Sequence, residues 1–189
     1  MTMRVHFAAA LAGTLAVATQ LPAQTRTPPA AQTLVDAAVR TAAAEHKAVL
    51  VTWGASWCGW CHRLEAFLAD TGVGRIMAAH FVVVALVTEE TPANKALENP
   101  GSGVLKTAMG GATSGLPFFV VLDAAGRKLA DSNMMPGGTN VGHPATPEEV
   151  AAFDQFLVRT APRMTPEGRE RIRAYLDRIA GRSSLAKSP

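Results

Sequence analysis

Sulfur is scarce in this chain: its 189 residues include two cysteines, Cys58 and Cys61. With no second pair to join Cys58, Cys61 and His62, a tetrahedral zinc site is excluded, the more so because adjacent Cys61 and His62 point in different directions on a helix. Charge of one sign is not concentrated either. Even the densest basic group, Arg169, Arg171, Arg173 and Arg178, is interleaved with Glu167, Glu170 and Asp177 on an expected helix. At a formal net charge of +3, that pattern reads as a solvated surface and argues against a nucleic-acid partner. No metal, nucleotide or flavin motif is present, so no cofactor is expected. Beyond the N-terminal stretch nothing is a candidate to span a membrane.

What is present begins with a leader. Arg4 precedes the apolar run Phe7 to Ala18, and Leu21-Pro22-Ala23 supplies small residues for cleavage. Residues 1–23 therefore read as a signal peptide cut after Ala23, with Ala18 as the alternative site. The expected location is periplasmic or secreted, with no stable membrane span once the signal is removed. Residues 24–32, rich in Thr, Pro and Ala, read as a flexible linker. The remaining chain suffices for one domain with a real core.

Both cysteines stand in Trp57-Cys58-Gly59-Trp60-Cys61-His62, directly after the apolar run Ala48 to Trp53. That run reads as a buried strand. Leu64, Phe67 and Leu68 follow at helical spacing, so the motif occupies the first turn of a helix. Two intervening residues bring the sulfurs within disulfide reach. Unpaired N–H groups and the helix dipole stabilise a thiolate at such a start, which makes Cys58 the expected nucleophile and Cys61 the resolving thiol. Cys58 is also expected to be the more exposed.

A helix at 34–46 precedes this unit. A helix near 74–79, a second buried strand at 81–87 and a polar, glycine-rich stretch at 88–115 follow it. A short helix is expected near 104–109. Leu116 to Asp123 reads as a third strand, and Ala124-Ala125-Gly126-Arg127 as a hairpin turn into a short strand at 128–130. Thr146-Pro147-Glu148-Glu149 has the residues of a capping box, opening a helix whose Val150, Phe153, Phe156, Leu157 and Val158 cover the sheet. Thr165-Pro166-Glu167 starts another, with Ile172, Tyr175, Leu176 and Ile179 on one side. Asn133 to Asn140 reads as a flexible loop whose two methionines fill core gaps.

These residues resemble the thioredoxin superfamily: a strand ending in Trp53, then Trp57-Cys58-Gly59-Trp60-Cys61 opening a helix, then Gly115-Leu116-Pro117 leading into an apolar strand. The stretch after the motif, with Glu65 four residues beyond Cys61, is similar to secreted thioredoxin-like proteins and to the periplasmic thioredoxin-like domain of transmembrane disulfide reductases. The resemblance implies an α/β, thioredoxin-like fold: a central mixed β-sheet flanked by helices, over 33–161, with an additional C-terminal helix at 162–181 and a tail at 182–189. It also implies a cis bond before Pro117, facing the cysteines. Trp57, Leu116 and Pro117 would bind substrate, with the backbone of Leu116 pairing with an extended segment. The implied activity is a thiol:disulfide oxidoreductase exchanging a Cys58/Cys61 dithiol and disulfide. Its partners would be protein thiols and disulfides and an unidentified redox partner.

Two departures from the family pattern bear on the chemistry. Where the family has a buried acid six residues before the first cysteine, this chain has Thr52, which cannot act as a carboxylate base near neutral pH. Glu65, one turn beyond Cys61, is the candidate for proton-transfer support, against the alternative of a surface acid paired with a nearby base. Trp60, between the cysteines, adds bulk without charge. Three other readings compete. Cys58-Gly59-Trp60-Cys61-His62 is also the c-type haem attachment pattern, with Met109, Met134 or Met135 as axial ligand. A non-enzymatic peptide-binding module would use the groove at Trp57, Leu116 and Pro117. A structural staple is the third, and a weak one, since the loop closed is tiny.

Overall fold

The computed structural model describes residues 27–185, with side chains to residue 180. The signal peptide read in 1–23 lies outside the described residues. The element order is α1 (Ala31–Glu45), β1 (Ala48–Gly54), α2 (Gly59–Ala69), α3 (Val73–His80), β2 (Phe81–Val87), α4 (Ser102–Lys106), β3 (Phe118–Leu122), β4 (Lys128–Asp131), α5 (Pro147–Thr160) and α6 (Pro166–Leu185). Short 3-10 turns occur at Pro92–Leu97 and Pro136–Gly138, and a π turn at Thr107–Gly111 extends α4.

The sheet order is β2-β1-β3-β4, with β1 parallel to β2 and the other pairs antiparallel. This is the mixed sheet expected from the sequence. Alternation along β1 divides the core in two. Val49, Val51 and Trp53 face α1 with Phe118, Val120 and Leu122. Leu50 faces the other way, where Phe119 and Val121 meet α2, α3, α5 and α6. Trp53 is fully buried, and its Nε1 donates to the Ser102 carbonyl at 3.1 Å.

Several details depart from expectation. β2 is an edge strand rather than one buried on both faces: Val82 and Val84 pack on the α1-side core, while Val83 and Ala85 on the opposite face are exposed. The part of the 24–32 linker that is described is docked. Asn99 Nδ2 donates to the Pro29 carbonyl, the Ala31 N–H donates to the Pro100 carbonyl, and α1 begins at Ala31, which is fully buried. Val158 points outward, at 40% exposure, because at 3.6 residues per turn it falls outside the arc of Val150, Phe153, Phe156, Leu157 and Thr160 that faces the core. The 133–140 segment closes through a Met135–Thr139 bridge, and Met134 packs on the core.

The capping box of α5 forms as read: Thr146 Oγ1 accepts the Glu149 N–H and Glu149 Oε2 accepts the Thr146 N–H. α6 packs into the same core through Ile172 and Leu176, each 1% exposed, and Tyr175 lies against Phe67. Arg169 and Arg173 pair with Asp154 of α5. The helix continues to Leu185, past the start of the segment read as a tail. No helix among the described residues is long and apolar enough to cross a membrane.

Candidate active site

β1 delivers the chain to the surface at Gly54, and a turn closed by the Cys58 N–H on the Ala55 carbonyl starts α2. Cys58 is the N-cap of α2, and its Sγ accepts the Cys61 N–H at 3.1 Å. That bond places a helix-start amide on the sulfur where thiolate charge would reside. Cys58 and Cys61 form a disulfide with a Cα–Cα separation of 5.2 Å. Both are buried, at 3% and 2% exposure, against Ala55 and Leu116, so Cys58 is not distinguished from Cys61 by access. The adjacent indoles are the open part of the motif, with Trp57 56% and Trp60 46% exposed.

The Leu116–Pro117 bond is cis. Its loop is anchored on both sides. Buried Lys106 donates from Nζ to the Ser114 carbonyl at 2.6 Å and to Glu89 Oε1 at 2.7 Å. Asn140 Nδ2 donates to the carbonyls of Gly115 and Pro117 at 2.9 and 3.0 Å. None of these bonds uses the backbone of Leu116. Glu89 also fixes Trp57, whose Nε1 donates to the Glu89 carbonyl at 2.8 Å. The structure thus brings Cys58, Cys61, Leu116 and Pro117 together, with Trp57 beside them.

Thr52 is buried behind the site and donates to the Val84 carbonyl. Glu65 is exposed and its Oε2 lies 3.2 Å from His62 Nδ1, while His62 Nε2 lies 2.9 Å from the Ser56 carbonyl. With an acceptor on each ring nitrogen, chiefly the Glu65 carboxylate, His62 is held above the ordinary imidazole range. Among the described residues, those the haem reading would use are committed elsewhere, Met135 in its bridge to Thr139 among them. His62 is engaged on both nitrogens, Met109 packs in the α1-side core, and Met134 packs in the opposite one.

Glu90 was not singled out by the sequence. It is 7% exposed, and its carboxylate accepts from the backbone N–H and the hydroxyl of Ser56. It shares with Thr52, Cys61 and Glu65 an apolar cleft between α2 and β2. The available signal was position: Glu90 follows the C-terminal end of a strand parallel to β1, where α/β sheets gather functional groups. His143, which reads from the sequence as a loop or surface residue, is buried at 7% exposure, and Asn140, in the segment read as a flexible loop, is tied to the cis-proline loop. Burial, followed by the charge of Arg63, holds His143 below the ordinary imidazole range.

Fold and site together define a thioredoxin-fold protein carrying a cysteine pair of the thiol:disulfide type. A family model described as thioredoxin-like matches residues 30–124, half of the chain, and the protein belongs to that family. Among solved structures, the chain is similar to a disulphide isomerase from Xylella fastidiosa at 21% identity, with a TM-score of 0.47, covering 88% of this chain and 98% of that one. It is similar to a DsbH oxidoreductase at 19% identity and TM-score 0.42, covering 76% and 92%. The oxidised C-terminal domain of DsbD from Neisseria meningitidis aligns at 25% identity and TM-score 0.37, covering 55% and 84%. No curated protein matches the sequence.

Proposed function

We propose that this protein is a thiol:disulfide oxidoreductase that exchanges its Cys58/Cys61 dithiol and disulfide with protein substrates outside the cytoplasm, in the periplasm or as a secreted protein. The observation that carries the reading is the cysteine pair at the N-terminus of α2, with the Cys61 N–H on Cys58 Sγ and Leu116 packed against both cysteines. The location rests on the leader read in residues 1–23.

In the reducing direction the Cys58 thiolate attacks one sulfur of a substrate disulfide. The substrate S–S bond breaks, and the departing sulfur leaves as a thiolate that takes up a proton. Cys61 then loses its proton and attacks Cys58 Sγ. The mixed disulfide breaks, the second substrate sulfur leaves and is protonated, and Cys58–Cys61 is oxidised by two electrons. A reduced redox partner restores the dithiol. Run backwards, the steps oxidise a substrate dithiol. We assign to Glu65, which is exposed and paired with His62 but lines the same cleft as Cys61, the support of proton transfer from Cys61. Trp57, Leu116 and Pro117 are the substrate-binding surface, with Leu116 pairing its backbone to an extended segment.

Reduction of insulin by dithiothreitol, catalysed by the wild type and by Cys58→Ala, tests the reading. Catalysis by the wild type alone is expected. Equal activity in both would overturn the enzymatic reading and leave a peptide-binding module.

A further inference from the structure

Glu90 is a buried carboxylate that the exchange steps leave unused. It stands in Thr88-Glu89-Glu90, where the chain leaves β2, and this segment is bonded residue by residue to the turn that carries the cysteine motif. The Thr88 N–H donates to the Gly54 carbonyl at 2.9 Å. The Glu89 carbonyl accepts from Trp57 Nε1. Glu90 accepts the Ser56 N–H on Oε1 at 2.5 Å and the Ser56 hydroxyl on Oε2 at 2.8 Å. Glu89 has a φ of 55°, a left-handed conformation that glutamate seldom adopts and that persists where the surroundings over-determine it.

The grip on Ser56 is reinforced from outside. The Glu90 N–H donates to Glu98 Oε1, Glu98 pairs with Lys95, and Asn94 Nδ2 donates to Ser56 Oγ at 3.1 Å. His62 Nε2 lies at the Ser56 carbonyl. Two residues beyond Ser56, Cys58 is the N-cap of α2 and its Sγ accepts the Cys61 N–H. In the disulfide form the covalent bond also ties Cys58 to the helix. On reduction that tie is lost, and the bonds from 88–90 hold the turn against the sheet. The Cys61 N–H then matters more, because a hydrogen bond to an ionised acceptor is about twice as strong as one to a neutral acceptor.

We propose that Glu90 is a positioning residue for the exchange: its two bonds to Ser56 keep Cys58 at the N-cap in the dithiol state and so stabilise the reduced protein selectively. The proposal rests on the oxidoreductase reading. The bonds carry the effect, and the charge does not, since a carboxylate near Cys58 by itself opposes a thiolate.

The test equilibrates the full chain with glutathione, in which the protein disulfide and two glutathione thiols exchange for the protein dithiol and one glutathione disulfide. Glu90→Ala removes both bonds and should shift this equilibrium about tenfold toward the protein disulfide, the scale of a lost bond to a charged group. That corresponds to a potential about 30 mV more reducing. Glu90→Gln keeps an acceptor for the Ser56 N–H and a partner for its hydroxyl, and should stay within about twofold of wild type. Ser56→Ala removes the hydroxyl bond alone and should shift the equilibrium about threefold in the same direction as Glu90→Ala. A purely structural Glu90 would cost both redox forms alike, lowering the melting midpoint of Glu90→Ala and leaving its equilibrium unmoved. That result, or equal shifts in Glu90→Gln and Glu90→Ala, would overturn the proposal; should Glu90→Ala not fold, an unmoved equilibrium in Ser56→Ala would do so. Because the measurement needs no protein substrate, a wild type that equilibrates with glutathione but fails to reduce insulin would defeat the oxidoreductase reading without touching the placement of Cys58 by Glu90.

Discussion

Replacing Gly142 by alanine is a direct test of how the site is assembled. A Cβ at Gly142 would sit 2.3 Å from the Pro117 carbonyl oxygen, 2.7 Å from its Cδ and 2.9 Å from its Cγ. Real contacts of this kind do not fall below 3.0 Å. The obstacle is a backbone carbonyl and a proline ring, and that carbonyl is also held by Asn140 Nδ2. No flexible side chain can move aside, so the cis-proline loop or the Val141-Gly142-His143 segment must shift. Overpacking of this type costs about 1–3 kcal/mol, and a rigid neighbour argues for at least about 2. At roughly 2–4 °C per kcal/mol for a chain of this size, the melting midpoint should fall by about 4–8 °C. Gly59→Ala is the control: at the start of α2 its added Cβ meets nothing within 4 Å, so stability should hold or rise slightly. Urea unfolding of both variants gives the comparison, with an unchanged slope expected. Insulin reduction by Gly142→Ala should fall as well, because the displaced loop carries Leu116. A Gly142→Ala variant as stable and active as wild type would refute the close packing of Gly142 on Pro117.

Other expectations follow from named contacts. Lys106→Met leaves the Ser114 carbonyl without its donor and releases Glu89, and should cost about 1–3 kcal/mol by urea titration, with no loss of stability as the contrary result. Leu176→Ala should destabilise by about 2–5 kcal/mol, since α6 buries this side chain in the main core; an unchanged midpoint would mean that α6 does not pack on that core. The two perturbed histidines near the site act with opposite sign. His62 titrates higher in the folded state, so its contribution is complete below about pH 6.5 and is lost as pH rises through the folded value. His143 titrates lower, so its contribution is complete above about pH 6.5 and is lost as pH falls toward the folded value. Stability measured across pH should therefore lose part of its acid-side decline in His143→Phe and show a steeper one in His62→Gln, and identical pH profiles for all three proteins would contradict both assignments.

What the sequence revealed was what local pattern can encode. Unbroken apolar runs marked β1 and β3, which are central and buried on both faces. The capping residues Thr146 and Glu149 marked the start of α5, and the helical spacing of Leu64, Phe67 and Leu68 placed the cysteine motif in the first turn of α2. The equally apolar β2 was misread because its run says nothing of its place at the sheet edge, where Val83 is left uncovered. The partners of Lys106, Asn140 and Glu90 were hidden for a related reason: each joins segments distant along the chain and belongs to no periodic pattern. The 27–32 segment looked like a tether from its Thr, Pro and Ala content, yet Asn99 holds the Pro29 carbonyl and the Pro100 carbonyl accepts the Ala31 N–H. Pro117 was found through family resemblance; composition alone would have made it an ordinary turn proline.

The central claim, that Cys58 is the attacking thiol of a disulfide exchange, is tested most directly by trapping. Cys61→Ala, reduced and then mixed with insulin, should accumulate a mixed disulfide on Cys58, visible as a mass adduct that dithiothreitol removes. Cys58→Ala should accumulate little, because the remaining sulfur lies within α2 and lacks the N-cap position. Absence of an adduct in Cys61→Ala, or equal adduct in both variants, would contradict the account.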